Sequence, residues 1–265
     1  MRLQVEESTR LPNRLRKLTS LEDLWGAGVD SACTAEELGH LTQLRNLYLH
    51  LTAKDERVCK ALVASLGKLH RIQYLSVMTS VGTVADLDGS VLSLSNLSYL
   101  YINKTKSLPT WICPASLVLL SCLRITVVQV RREDIQVLGN LQALRYLEVT
   151  VFGREVPERF MVSPDAFPCV IKCTFLGFTT VLSMFPPGAM PRLEEFIFDI
   201  QLEDFSGGEF TADDLALGHL LSLQSVRLYL GKWNASEDVV RKVEEKLRHE
   251  ADVHPNHPEL STNYY

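Results

Sequence analysis

The side chains of this 265-residue sequence best suited to reaction or metal binding are its cysteines, histidines and paired carboxylates. Cys169 and Cys173 lie four apart with no second pair behind them, whereas structural zinc needs four ligands. Cys33, Cys59, Cys113 and Cys122 form no C-x-x-C unit, so buried free thiols are expected. His254 and His257, in HPNHP, have no partners at ligand spacing and read as part of a solvated tail. Glu36–Glu37, Asp213–Asp214 and Glu244–Glu245 fall at helix starts or on solvated faces. No H-E-x-x-H run or G-x-S-x-G elbow occurs, and Gly231-Lys232 lacks both the earlier Gly and the following Ser/Thr of a phosphate loop. These spacings predict no catalysis, no metal and no cofactor.

Charge and termini narrow the partners. The formal net charge of −5 gives no electrostatic basis for holding nucleic acid or an anionic membrane. The opening MRLQVEESTR lacks the basic and apolar regions of a secretory signal. The longest apolar-rich run, Leu117 to Val130, contains Ser121 and Arg124 and falls short of the ~20 residues of a spanning helix. A cytoplasmic protein with a protein partner, and no small-molecule substrate, is the expectation.

What positions the remaining candidates is a repeat. Leucine supplies 43 residues, and apolar side chains recur in the frame L-x-x-L-x-x-L-x-x-L-x-L. The clearest copy is Leu38, Leu41, Leu44, Leu47 and Leu49; others end at Leu75 and Val77, Leu100 and Ile102, Leu147 and Val149, and Val226 and Leu228. The third slot falls at Leu21, Leu44, Ile72, Leu97, Leu120, Leu144, Val170, Leu193 and Leu223, with gaps of 23, 28, 25, 23, 24, 26, 23 and 30. That period of roughly 20–29 residues is the leucine-rich repeat. The closing L-x-L alternates with period two, so both leucines of a short strand face inward. No copy can bury its own leucines, so copies must stack. The fold class is α/β: a curved leucine-rich-repeat horseshoe with a concave parallel β-sheet and helical or irregular crossovers on the convex side.

Crossover helices are expected after a Thr34–Glu37 capping box, over Asp55 to Ser65, over Arg132 to Leu138, and briefly after Thr211 to Asp214. Phe152 to Pro168 and Asp199 to Glu209 lack a period and read as loops. The solenoid of about nine repeats spans 1–232. The segment 233–265 reads as a capping helix, with Ser236 as N-cap and an end near Glu250, followed by a polar tail. Leu3 and Val5 fit the last ladder slots, so the chain begins inside a repeat. This predicts a preceding segment or a partner over the first strand.

Several stretches resemble the leucine-rich-repeat region of plant intracellular NLR disease-resistance proteins, most closely the coiled-coil class of grasses. They are Leu11-Pro12 with Leu15, Leu18 and Leu21, Leu108–Ile112, Asp165–Cys169, Pro187–Glu194 and Ala251–Glu259. The resemblance implies a solenoid that folds over a nucleotide-binding domain, in cis or trans, and senses a pathogen effector or a host guardee. The phosphate loop and the coiled coil are missing from this sequence, so only the sensing and autoinhibition half carries over. A stand-alone repeat scaffold in intracellular signalling is the alternative.

Outward strand positions form columns on the concave face, and those columns are rich in Trp, Tyr and Arg, the residues of protein-binding hot spots. The candidates are Trp25, Tyr48, Tyr74, Tyr99, Tyr101, Arg124, Tyr146, Glu148, Arg227 and Tyr229. Tyr74, Tyr99 and Tyr146 precede a ladder leucine, where a ring also serves to pad adjacent rungs. Tyr48, Tyr101, Arg124 and Arg227 are the stronger choices.

Overall fold

The computed structural model describes residues 1–10, 15–53, 55–80, 82–91, 94–153, 162–178, 185–201, 217–231 and 237–264. Its backbone forms two compact units, Met1–Val128 and Gln129–Tyr265. The first unit carries strands β1 Arg2–Arg10, β2 Asp23–Val29, β3 Asn46–Leu51, β4 Tyr74–Thr79, β5 Tyr99–Thr105 and β6 Cys122–Val127. Each pairs in parallel with the next in sequence. The second carries β7 Tyr146–Val151, β8 Lys172–Leu176, β9 Glu195–Gln201, β10 Ser225–Gly231 and β11 Glu259–Tyr264, paired the same way.

The repeat frame accounts for this arrangement. Along β3, Leu47, Leu49 and Leu51 are buried while Asn46, Tyr48 and His50 are half-buried, the alternation a pleated strand imposes. Across the first unit Leu24, Leu47, Leu75, Leu100 and Leu123 form one fully buried column. In the second, Leu147, Cys173, Phe196 and Val226 form a column of their own, and Phe175 and Phe198 lie in the next. Each fully buried Leu or Phe contributes about 1.5–3 kcal/mol, so the columns dominate the stacking energy. Entry turns repeat one backbone bond from rung to rung. Arg45 N–H donates to Glu22 C=O at 2.7 Å, and Gln73 N–H donates to Arg45 C=O at 2.7 Å.

Crossover helices are short: α1 Ala32–Leu38, α2 Glu56–Leu66 and α3 Arg132–Gly139. Asp55 caps α2, accepting from Arg57 N–H at 2.9 Å. The cap of α1 is Ser31, whose Oγ accepts from Thr34 N–H at 3.2 Å, rather than Thr34 itself. Two hydroxyls three residues apart compete for one helix end, and the earlier one begins the helix. Helix α4, Glu237–Val253, buries Val243, Leu247 and Ala251 and runs past Glu250.

The tail differs most from expectation. Glu259–Tyr264 is a strand, in register with β10 from Ser225↔Glu259 to Leu230↔Tyr264. Its Glu259 N–H donates to Gln224 C=O at 2.8 Å, continuing the rung-to-rung bond of the entry turns. His254 is buried, not solvated. Asp199, expected to open a loop, lies within β9. The expected loop core at 154–161, the Thr211–Asp214 cap, Ser236, Leu11-Pro12 and the 232/233 boundary lie outside the described residues. Among the cysteines, Cys59 and Cys173 are buried, Cys33 is exposed, and Cys113, Cys122 and Cys169 are half-buried. Burial pushes the Cys59 thiol up, and the Cys173 thiol well up. Among the described residues, no helix is long and apolar enough to cross a membrane, and no group of three or more His, Cys, Asp or Glu is arranged to hold a metal ion.

Candidate protein-interaction surface

Strand alternation sends every second side chain of β2 to β6 outward, and register sets their neighbours. One row reads Asp23, Asn46, Tyr74, Tyr99 and Cys122; the next reads Trp25, Tyr48, Ser76, Tyr101 and Arg124. In β2 the register slips after Trp25, so that Ala27 rather than Gly26 faces Leu49. Gly26 has a φ of 84°, a left-handed conformation that glycine adopts without strain.

The aromatic residues of these rows form one tier. Trp25 stacks on Tyr48 at a ring distance of 6.0 Å and meets Tyr74 at 5.3 Å. Tyr74 stacks on Tyr99 at 4.4 Å, with planes 7° apart. The contact from Trp25 to Tyr74 passes over β3, joining strands that are not neighbours. His50 meets the Tyr48 ring edge-on and lies 3.0 Å from its hydroxyl. Guanidinium groups flank the tier: Arg2 lies 5.8 Å from the Trp25 ring centre and Arg124 5.3 Å from that of Tyr101. Each aromatic pair adds about 0.5–1.5 kcal/mol beyond area burial, and each cation over a ring about 0.5–1 kcal/mol when exposed. Burial pushes the Tyr74 phenol up, its interactions with the Tyr99 phenol push it further, and the Arg124 charge pulls the other way.

The five aromatic candidates here, Trp25, Tyr48, Tyr74, Tyr99 and Tyr101, are all half-buried, and Arg124 is exposed. Tyr74 and Tyr99 thus pad adjacent rungs and belong to the tier at the same time. Arg2 and His50 complete the arrangement. Arg2 was not signalled by the sequence, because the frame marks inward positions and leaves the reach of a long side chain open.

The second unit presents different chemistry. Tyr146 is 49% exposed, Glu148 and Tyr229 are half-buried, and Arg227 is exposed. Glu195 is the hub: Lys172 reaches its Oε2 at 2.8 Å, and Arg227 approaches its Oε1 at 3.9 Å. Thr174, Ile197 and Asp199, though outward in register, are buried. Lys172 and Glu195 are neighbours in register, so this pair was legible as successive members of one outward column.

Comparison with known proteins follows the rungs. A family model described as a leucine-rich repeat region matches residues 1–260. No curated protein matches the chain.

Proposed function

Since the chain belongs to the leucine-rich repeat family, we propose that it is a non-catalytic protein-interaction module, cytoplasmic, and the sensing part of a plant NLR-type immune receptor. Leucine-rich repeats serve as protein-interaction scaffolds, and the outward face of the first unit is the contact surface. The observation that carries this reading is the tier itself, with Trp25, Tyr48, Tyr74 and Tyr99 in ring contact and Arg124 over Tyr101. Half-exposed stacked rings beside a guanidinium lose little conformational entropy on binding, and a partner covers apolar area there without ordering the surface first. The receptor assignment is supported by the stretches Asp165–Cys169, Pro187–Glu194 and Ala251–Glu259, which stacking alone does not require.

The test has two arms. The transcript is read upstream of Met1 for a nucleotide-binding module, and its absence overturns the receptor reading. Binding of that module to this chain is then measured for wild type and for the triple variant Tyr48→Ala, Tyr101→Ala, Arg124→Ala. A loss of at least tenfold is expected, measured at a temperature where both proteins are folded, since the lost ring contacts also lower the melting temperature. Equal binding removes this surface from consideration.

A further inference from the structure

Five turns of the first unit close with the same backbone bond. The N–H groups of Leu21, Leu44, Ile72, Leu97 and Leu120 donate to Leu18, Leu41, Leu69, Leu94 and Leu117 C=O at 2.9–3.3 Å. The residues inside these turns therefore stand in columns along one flank of the sheet. They are Thr19–Ser20, Thr42–Gln43, His70–Arg71, Ser95–Asn96 and Val118–Leu119. Lys17, His40 and Lys68, each just before its turn, form another column. Glu22, Arg45 and Gln73, joined by the rung-to-rung bonds, form a third.

This flank runs against the sign of the chain, whose formal net charge is −5. Across 15–22, 39–45 and 67–73, Arg16, Lys17, Arg45, Lys68 and Arg71 meet a single carboxylate, Glu22. Arg16 is engaged by Glu37 at 3.9 Å. Lys17, Arg45, Lys68 and Arg71 are exposed and form no ion pair among the described residues. Two rungs beyond Arg71 the same turn carries an apolar pair, Val118 and Leu119, each 54% exposed. Uncharged Ser95 and Asn96 lie between. The flank thus passes from cationic to apolar over two rung spacings, about 10 Å.

We propose that this flank binds an acidic, extended segment of a protein partner lying across the rungs. Its Asp or Glu side chains lie along Lys17, Arg45, Lys68 and Arg71. An apolar residue about three positions further on covers Val118 and Leu119, because three residues of extended chain span about 10 Å. Charge complementarity selects the occupant. Duplex DNA would leave the apolar pair bare, since phosphates give it nothing to pack on. These turns carry no aromatic side chain to seat in a lipid interface. No residue of the aromatic tier takes part, so the two surfaces stand or fall separately.

The full chain is used to select random twelve-residue displayed peptides, and those that also bind the variant Lys68→Glu, Arg71→Glu are removed. Survivors are expected to carry several acids, with an apolar residue about three positions from the nearest one. Fluorescence anisotropy of the synthetic peptides then reads each contribution. Changing one acid to its amide weakens binding about two- to fivefold, the range of one exposed ion pair. Added salt weakens it further. Val118→Ser with Leu119→Ser costs the same peptides several-fold, and the melting temperature holds because both side chains are exposed. A selection with no survivors, survivors without acids, or acidic survivors indifferent to the double serine variant each overturns the proposal. So does binding of duplex DNA or phosphatidylserine vesicles that is tighter than any selected peptide and lost in Lys68→Glu, Arg71→Glu.

Discussion

A methyl group built on Gly177 would lie 1.9 Å from the carbonyl oxygen of Val151, on the neighbouring rung, and Gly177 itself has a φ of 77°. Its N–H donates to the buried carboxylate of Asp199 on the opposite side, at 2.8 Å. One residue just past β8 is therefore fitted between the rungs of β7 and β9, and two separate costs follow from replacing it. Gly82 isolates the first of them, since its φ is 76° and nothing lies within 4 Å of the position a methyl would take. Gly82→Ala is expected to cost about 1–2 kcal/mol, from backbone handedness alone. Gly177→Ala adds a clash with fixed backbone, and about 3 kcal/mol or more is expected. Urea unfolding of the two variants beside wild type measures the difference. Equal midpoints would mean that the β7–β8 rungs slide apart freely and that the clash is relieved at no cost.

At the scale of elements, β11 is held by a histidine in a slot that the other rungs fill with leucine, Phe167 or Met190. One further copy of the frame, 34 residues beyond Leu217, Leu220, Leu223 and Val226, places Ala251, His254, His257 and Leu260 in its apolar slots. Ala251 and His254 are indeed buried. The His254 ring turns Nε2 toward Leu220 C=O at 3.2 Å and accepts at Nδ1 from Asn256 N–H at 3.1 Å. A neutral ring with its proton on Nε2 satisfies both neighbours. His254→Leu restores the ordinary frame but leaves that carbonyl and that amide unpaired, so a loss of about 1–3 kcal/mol is expected. Hydrogen exchange at the β11 amides reads it, and a variant as protected as wild type would show that volume, not the two bonds, docks this strand. The same residues explain what was legible beforehand. Rungs closed by Leu, Ile or Val announce themselves by spacing, and those strands fall where the frame puts them. The last rung hid behind two histidines and a threonine at Thr262, which on composition belong to a polar tail. Trp25 and Tyr48 were readable as outward neighbours from alternation. The reach of Trp25 across β3 to Tyr74 was not, because it depends on ring orientation.

At the scale of the whole molecule, the pairing of strands with their sequence neighbours within each unit sets how damage spreads. Leu100 is fully buried between Leu75 and Leu123, on the adjoining strands β4 and β6. Leu100→Ala removes the isopropyl group that stands between Leu75 and Leu123, so all three rungs feel the cavity, and it is expected to cost about 2–5 kcal/mol, depending on how far that cavity closes. In a stack whose stability sums rung and nearest-neighbour terms, that loss stays local. Amides of β4, β5 and β6 should exchange faster, while those of β8, β9 and β10 keep their wild-type protection. The consequence for recognition is direct, since β4, β5 and β6 carry Tyr74, Ser76, Tyr99, Tyr101 and Arg124. A core substitution beneath these residues weakens partner binding without touching the surface, and the Lys172–Glu195 pair of the second unit is left intact. Hydrogen exchange with mass-spectrometric readout decides between this and the alternative. A uniform loss of protection from β2 to β10 would mean that the rungs unfold as one cooperative block, and that the nearest-neighbour account of this array fails.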